Sequence, residues 1–395
     1  MNARDASPEE LLDWDAQTVE APGGHVYQSR AWADHRRVSG WSPRFLVTED
    51  GGRVLALTRP WRWVAGSGAY LPRGPVPGGP GATPEALAER LIAVSRVLAG
   101  EGVDVVAADP EVPAVQAAYR AAILAAGFRP IEEIQPSRHR VTLPLGGVLS
   151  AAGEPGPTDP TDPIGPTGAV GEAAVFEAIA KSTRQRIRGA ERDELAVVRH
   201  DTRLGAGGAG EGFVDPAEPP AAALDRFYGL LVETGERRHF SFGPRSAFVG
   251  WWLAALAAGH LLYLEARTPG SSMASGDEPL AGLVLYRHGG RLSTVHSADH
   301  ASSRAEHPGA LHLLRWRAIQ LAIREGCAEM DLGGVDVAGS RSEPREGDPL
   351  YGLYQHKRSF GGVWLELTGA HERIFDPRGY ALGRLAGRVS AMLCR

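Results

Sequence analysis

Four stretches of the chain carry the residue types that acyl or phosphoryl chemistry needs. In YGLYQHKRSFGG, Tyr351 to Gly362, the rings of Tyr351, Tyr354 and Phe360 surround His356, Lys357 and Arg358, ahead of a Gly-Gly turn and the apolar run VWLELT. An ammonium among aromatic rings is poorly hydrated, so its field on a nearby developing oxyanion is strong. The competing reading is cation–π packing at the start of a strand. MDLGGVD ends a short apolar strand in Asp331 and runs into Gly333 and Gly334. That sets a carboxylate beside a flexible turn, a common place for a site, although a capped turn explains it equally. In VFEAIAKSTRQRIRGAERDE, Lys181, Arg184, Arg188 and Arg192 fall at i, i+3, i+7 and i+11, one stripe of a helix, with Ile179, Ile187 and Ala190 beside it. Arginine forks suit phosphate, and a solvated surface face is the alternative. Last, Arg237, Arg238 and His239 follow the amphipathic run LDRFYGLLVETG, between Phe227-Tyr228 and Phe240. Favourable charge at a helix C-terminus accounts for one or two such cations.

Other patterns fit chemistry less well. Gly205, Gly207 and Gly210 satisfy G-x-G-x-x-G, but Pro216, Pro219 and Pro220 stand where a helix must open at once to meet a pyrophosphate. His296 and His300 follow a strand with no third ligand near, which favours a structural pair over zinc. There is no G-x-S-x-G elbow, and Cys327 and Cys394 lack a nucleophile context. Neither covalent catalysis nor any metal or redox cofactor is expected.

The elements that must position these residues occupy 395 residues, enough for two domains, with 43% apolar residues to fill their cores. A net charge of -5 excludes a general polycation, so any nucleic-acid contact must come from a local patch. Two distant cysteines, an acidic opening segment without the build of a secretory signal, and no apolar run near ~20 residues together lead to the expectation of a cytoplasmic globular protein. Ser7-Pro8 opens a first helix and Ser29 a second. RFLVTE and RVLALTR form a hairpin around Asp50-Gly51-Gly52, and Thr83-Pro84 caps a long helix that leads to the strand VDVVAA. A Pro/Gly-rich stretch, 146–171, reads as a linker. It separates a first domain, 1–145, from a second, 172–376, and an amphipathic helix closes the chain at 377–395. The second half again gives a hairpin around Gly289-Gly290, a long helix ending at Gly326, and the strand AEMDL. This duplicated order suggests α/β lobes with mixed sheets covered by helices.

In this order the stretches resemble the FemAB family, the peptidoglycan interpeptide-bridge aminoacyltransferases. The matching pieces are QSRAWADHRRVSGW, YLPRGPV, AADPE, AAGFRPIEEIQPSRHRVTLPL, KSTRQRIRGAE, FYGLLVETGERRHF, LHLLRWRAIQLAIREGCAEMDLGGVD and LYQHKRSFGG. The resemblance implies two tandem GNAT-like lobes and transfer of an amino acid from aminoacyl-tRNA to the stem-peptide amine of lipid II or a UDP-linked muropeptide. It departs from the family where His356 replaces an aromatic residue, where Thr294-Val295-His296 replaces a Tyr-Gly run, and in lacking a long coiled-coil arm.

The implied roles are Lys357 as oxyanion stabiliser and Asp331 as proton acceptor or relay. Arg36, Lys181, Arg184, Arg188, Arg237 and Arg238 are expected to hold phosphates, and Tyr351, Tyr354, His356 and Phe360 to line the substrate site. A monomer is expected. The closing helix, with Leu382, Leu385, Val389, Met392 and Leu393 on one face, either docks on the protein body or lies on the inner membrane leaflet. A GNAT-type enzyme with an acyl-CoA donor is the rival reading, since fold does not fix function; a catalytically inactive scaffold is the third.

Overall fold

The computed structural model describes residues 1–78, 82–135, 138–145, 171–204, 208–238, 242–269, 278–335 and 342–393, with Arg238 and 388–393 in backbone only. His239, Phe240 and nearly all of the expected linker lie outside these residues, as do parts of the insertions beginning at Gly205 and Thr268. The chain divides into two compact units, Met1–Arg140 with Leu365–Arg395, and Val141–Val337 with Ser342–Trp364.

The first unit contains β1 (Ala3–Asp5), α1 (Pro8–Leu12), α2 (Arg30–Val38), β2 (Ser42–Thr48), β3 (Arg53–Pro60), β4 (Ser67–Leu71), α3 (Pro84–Gly100), β5 (Val103–Ala108), α4 (Ala117–Ala125) and β6 (Arg129–Pro130). Local chemistry sets these boundaries. Ser7 and Glu10 form a reciprocal capping box with Pro8 in the first turn, Ser29 accepts the Trp32 N–H at 2.9 Å, and Thr83 accepts that of Ala86 at 3.2 Å. The β2–β3 turn is held by Asp50, which accepts the Thr48 hydroxyl and the Gly52 N–H.

The second unit contains β7 (His139–Pro144), α5 (Glu172–Ala178), α6 (Lys181–Arg192), β8 (Ala196–His200), α7 (Pro220–Arg238), α8 (Arg245–Ala257), β9 (Leu261–Arg267), β10 (Ala281–His288), β11 (Arg291–Asp299), α9 (Ala301–Glu306), α10 (Ala310–Arg324), β12 (Glu329–Asp331), α11 (Tyr351–Arg358) and β13 (Val363–Glu366). The chain then returns to the first unit with β14 (His371–Ile374) and α12 (Pro377–Leu393).

The sheets run β1-β2-β3-β4-β5-β14-β6 and β8-β9-β10-β11-β12-β7-β13. In both, the first four strands are antiparallel, the fourth and fifth are parallel, and the sixth is antiparallel. The sixth strand is out of sequence order in each case, β14 following all the strands of the second unit and β7 preceding the rest of them. In the first unit α3 and α4 pack on the sheet through Leu87, Leu91, Val94, Tyr119 and Ile123; in the second α10 does so through Leu313, Leu314, Ile319 and Ala322.

The duplication expected from element order is present, offset by one strand: the β2–β3 hairpin corresponds in sheet order to β9–β10, and β10–β11 corresponds to β3–β4. Three local expectations are corrected. The run from Val175 to Glu194 breaks at Ile179 and Ala180, which are extended, so α6 begins at Lys181. FRPIEE contributes only Arg129–Pro130 as strand. Tyr351 to Arg358 is a helix, not the approach to a strand; its apolar and cationic residues repeat at three and four rather than two. At the chain's end α12 packs through glycines: a Cβ on Gly379 or Gly383 would strike Asp104 or Trp61. Leu382 and Leu385 are left exposed.

Candidate functional site

In the second unit β11 and β12 are parallel for three residue pairs only, ending at Ser293 and Asp331. Beyond that point β11 continues to Asp299 alongside β10, with a bulge at Val295. The chain after β12 instead leans toward β7: Leu332 donates to the Val141 carbonyl at 2.8 Å and Val141 to that of Gly333 at 3.4 Å. The two strands therefore part, and Thr294, Val295, His296 and Ser297 become half-buried while both ends of β11 stay buried. An opening at the carboxyl end of a parallel pair, next to a bulge, is a usual place for a ligand.

Lys357 reaches this opening. It lies on the inward face of α11 with Tyr354, is 5% exposed, and its Nζ donates to the Gly334 carbonyl at 2.6 Å. Burial, reinforced by Arg315 and opposed by Asp331, pushes its ammonium down to about 7. Gly333 has φ +82, and a Cβ there would lie 2.9 Å from the Thr294 carbonyl and 3.1 Å from Lys357 Nζ. Only glycine lets β11, the turn and the ammonium converge so closely. Asp331 is buried, and its Oδ1 accepts the Gly333 N–H at 2.8 Å. The structure thus brings Lys357, Asp331 and His356 into one region.

The ring of His356 meets His312 edge-on at 4.8 Å and Phe360 at 5.4 Å. Burial drives its imidazole down to about 2, with Arg315, His312, Lys357 and Arg186 adding to the effect. Phe360 and Tyr354 are buried in the hydrophobic core, where Tyr354 packs edge-on against Trp364 and under Arg358. Tyr351, whose hydroxyl accepts from Gln355, and Tyr354 also line a cleft of about 480 Å³ with Glu343, Arg345, Glu346 and Arg358. On α6, Ile187 and Ala190 face the core, while Lys181 and Arg188 are exposed and Arg184 is half-buried, donating to the Glu177 carbonyl. Arg237 is occupied by carboxylates: Glu233 at 3.0 Å and Asp299 at 3.0 Å. Arg238 closes α7. Of the two histidines set aside for zinc, His300 is held by Glu233 at 2.6 Å, and His296 sits among Phe242, Phe248 and Trp252.

A separate polar cluster forms in the first unit. The half-buried Arg36 stacks over Trp32 at 5.3 Å and Trp41 at 5.5 Å; burial and the nearby Arg59 lower its pKa. Asp109 follows β5 and accepts the Tyr70 hydroxyl at 2.9 Å and the Arg73 N–H at 2.8 Å. Burial pushes its carboxyl up to about 6, against the pull of Arg73. Sequence reasoning singled out neither Asp109 nor Arg315. The available signal for Asp109 was its place at the end of an apolar strand after a long helix, the same place as Asp331.

A single parallel pair that opens among antiparallel strands fits a GNAT-like fold. Residues 181–358 match the family model described as acetyltransferase (GNAT) domain, a span running from the first residue of α6 to the last of α11. Over nearly the whole chain the fold is that of FemX, with a TM-score of 0.71 at 18% identity across 97% of this chain and 99% of that one. A conserved protein of unknown function from Bacteroides thetaiotaomicron VPI-5482 aligns with a TM-score of 0.51 at 12% identity, across 94% and 98% of the two chains. Comparison with curated protein sequences gave no match. The expected Fem-like tandem GNAT architecture is the one found. No helix among the described residues is long and apolar enough to cross a membrane.

Proposed function

We propose that the protein transfers an aminoacyl group from aminoacyl-tRNA to the stem-peptide amine of a peptidoglycan precursor, lipid II or its UDP-linked form. The observation that carries this reading is the buried Lys357 ammonium at the opening between β11 and β12. The ordered FemAB-like motifs and the exposed cations of α6 support the choice of donor and acceptor.

Aminolysis of an ester needs no enzyme nucleophile. The amine nitrogen attacks the ester carbonyl, the tetrahedral oxyanion forms, the C–O bond breaks, and the ribose oxygen leaves with the proton the amine has lost. Holding the two reactants together contributes up to ~7–11 kcal/mol. Lys357 stabilises the oxyanion, and Asp331, across the Gly333 turn, accepts or relays the proton. Arg36, Lys181, Arg184, Arg188 and Arg238 contribute phosphate contacts, of which the exposed Lys181 and Arg188 are the most accessible to tRNA, whereas Arg237, held by Glu233 and Asp299, is not free to do so. The exposed Leu382 and Leu385 of α12 are where a peripheral contact with the inner leaflet falls, if the acceptor is lipid-linked.

The match to an acetyltransferase family model favours one second reading, an N-acyltransferase with an acyl-CoA donor. Radiolabelled aminoacyl-tRNA offered with lipid II or UDP-muropeptide, in parallel with labelled acetyl-CoA, separates the two. Label entering the precursor from tRNA is the expected result. Turnover from acetyl-CoA alone replaces the first reading by the second, and no transfer from either donor overturns both.

A further inference from the structure

We propose that Arg315, His312 and His356, with Arg186 at the rim, form a buried receptor for a phosphate group, adjoining the Lys357 opening. Arg315 is 2% exposed, and its Nε and Nη1 have no hydrogen-bond partner among the described residues. Its neighbour is the Phe360 ring, 5.8 Å from the guanidinium carbon. A guanidinium keeps its charge under all ordinary conditions, so burying one without a carboxylate is costly unless another anion is supplied.

The surroundings add positive charge rather than cancel it. His312 stands one turn before Arg315 on α10 and meets His356 of α11 edge-on at 4.8 Å. Arg186 of α6 and Arg315 both act on the two imidazoles, and Lys357 acts on His356. The acid in range, Asp331 of β12, acts on Lys357 and not on Arg315. Burial and these cations hold His312 down to about 4 and His356 to about 2, so both imidazoles are neutral near pH 7 and free to take protons when an anion arrives. Gly309 makes the cluster possible. A Cβ there would strike the Arg186 carbonyl at 2.3 Å, so the glycine lets α6 and Arg186 approach α10.

Donors arriving from α6, α10 and α11 surround a tetrahedral oxyanion better than a planar carboxylate, which a single arginine fork saturates. The inference goes beyond the transfer reading and does not depend on it, because its ligand is any phosphate: inorganic phosphate, a phosphodiester of an oligonucleotide, or the diphosphate of a nucleotide sugar.

The test is thermal unfolding and calorimetric titration of the full chain with sodium phosphate, the trinucleotide CCA, UDP-N-acetylglucosamine and sodium acetate, each against sodium chloride at equal ionic strength. At least one phosphate compound should raise the unfolding midpoint progressively with the logarithm of its concentration, and acetate should not. Binding should take up protons near pH 7, its affinity falling about tenfold per pH unit for each proton bound. Arg315→Met should abolish the response without lowering the midpoint in chloride, because it removes an uncompensated buried charge. His312→Gln should weaken binding at least tenfold and reduce the proton uptake, and it decides the matter if Arg315→Met does not fold. No phosphate response beyond chloride, as expected of a pocket filled by water alone, overturns the proposal. So does an equal response to acetate, or an undiminished phosphate response in either variant.

Discussion

The parallel pair β4–β5 of the first unit stays joined to its end at Leu71 and Ala108, whereas β11–β12, at the same place in the second sheet, parts after Ser293 and Asp331. Each fifth strand leads to a carboxylate. Asp109, after β5, is enclosed by the Tyr70 hydroxyl and the Arg73 amide. Asp331, at the end of β12, turns to the Gly333 amide, and the edge of β11 is left to Lys357. The same strand order has thus produced one closed and one opened pair. The difference comes from where the following chain goes: toward β7 in the second unit, through a left-handed turn that glycine at 333 accommodates. On the function proposed above, the opened pair with its buried cation serves the transfer, and the closed pair with its satisfied carboxylate serves binding or stability.

Substitutions can break this contrast. The largest effect is expected of Lys357→Met, which should lower kcat by ~10²–10³ while leaving the precursor KM within a few-fold. Steady-state kinetics and a melting curve check it. The midpoint should not fall, since a buried amine is lost, and near-normal turnover would remove the opened pair from the reaction. Gly333→Ala comes next. The left-handed backbone costs ~1–2 kcal/mol for any other residue, and the new methyl group presses on both the Thr294 carbonyl and Lys357 Nζ. Displacing the ammonium should cut kcat by up to ~10²-fold, measured alongside denaturant unfolding.

Asp109 tests the closed pair. Its pKa in the fold, about 6, is raised above the ordinary 3.8, so the fold favours the protonated form. The stability this contributes is complete below ~3.8 and is lost as pH rises through ~6, at most about 3 kcal/mol. The stability of Asp109→Asn relative to wild type should therefore improve between pH 4 and pH 7, while kcat changes less than in Lys357→Met. A flat difference across that range would contradict the burial of the carboxyl. The smallest effect separates two arginines. Arg188→Ala, on an exposed stripe, should raise the KM for tRNA a few-fold and reduce the salt slope of binding by about 1. Arg237→Ala, which loses Glu233 and Asp299, should lower the melting midpoint and leave the salt slope nearly unchanged.

Features fixed by neighbouring residues were legible in the sequence. The caps at Ser7, Ser29 and Thr83 and the turns at Asp50 and Gly289 are local hydrogen-bond chemistry, and the duplicated order followed from them. What escaped is set by partners distant in the chain. LLYLEAR became β9, buried on both faces of its sheet, without the alternation that marks a half-buried strand. The placement of β7 and β14 in sheets away from their sequence neighbours has no local signature. In the site, Lys357 was visible as a cation among aromatic residues within a FemAB-like motif, and Asp331 as a carboxylate running into Gly333-Gly334. Arg315 and His312 were not, since on α10 they read as ordinary polar residues within an apolar helix, and their meeting with His356 depends on Gly309 and the approach of α6. Arg237 read as free cationic charge because its carboxylates come from a turn before it on α7 and from β11.

The claim that a buried ammonium at the opened pair acts on the reaction is tested most directly by the pH dependence of transfer in wild type and Lys357→Arg. Arginine stays protonated throughout, whereas Lys357 is held down to about 7, and the ratio of the two rates cancels the ionisation of the acceptor amine. The ratio of wild-type to Lys357→Arg kcat/KM should fall as pH rises through about 7, as the lysine loses its charge and the arginine does not. A ratio that rises through the same range would mean that the neutral amine is the active form, and would contradict the oxyanion role.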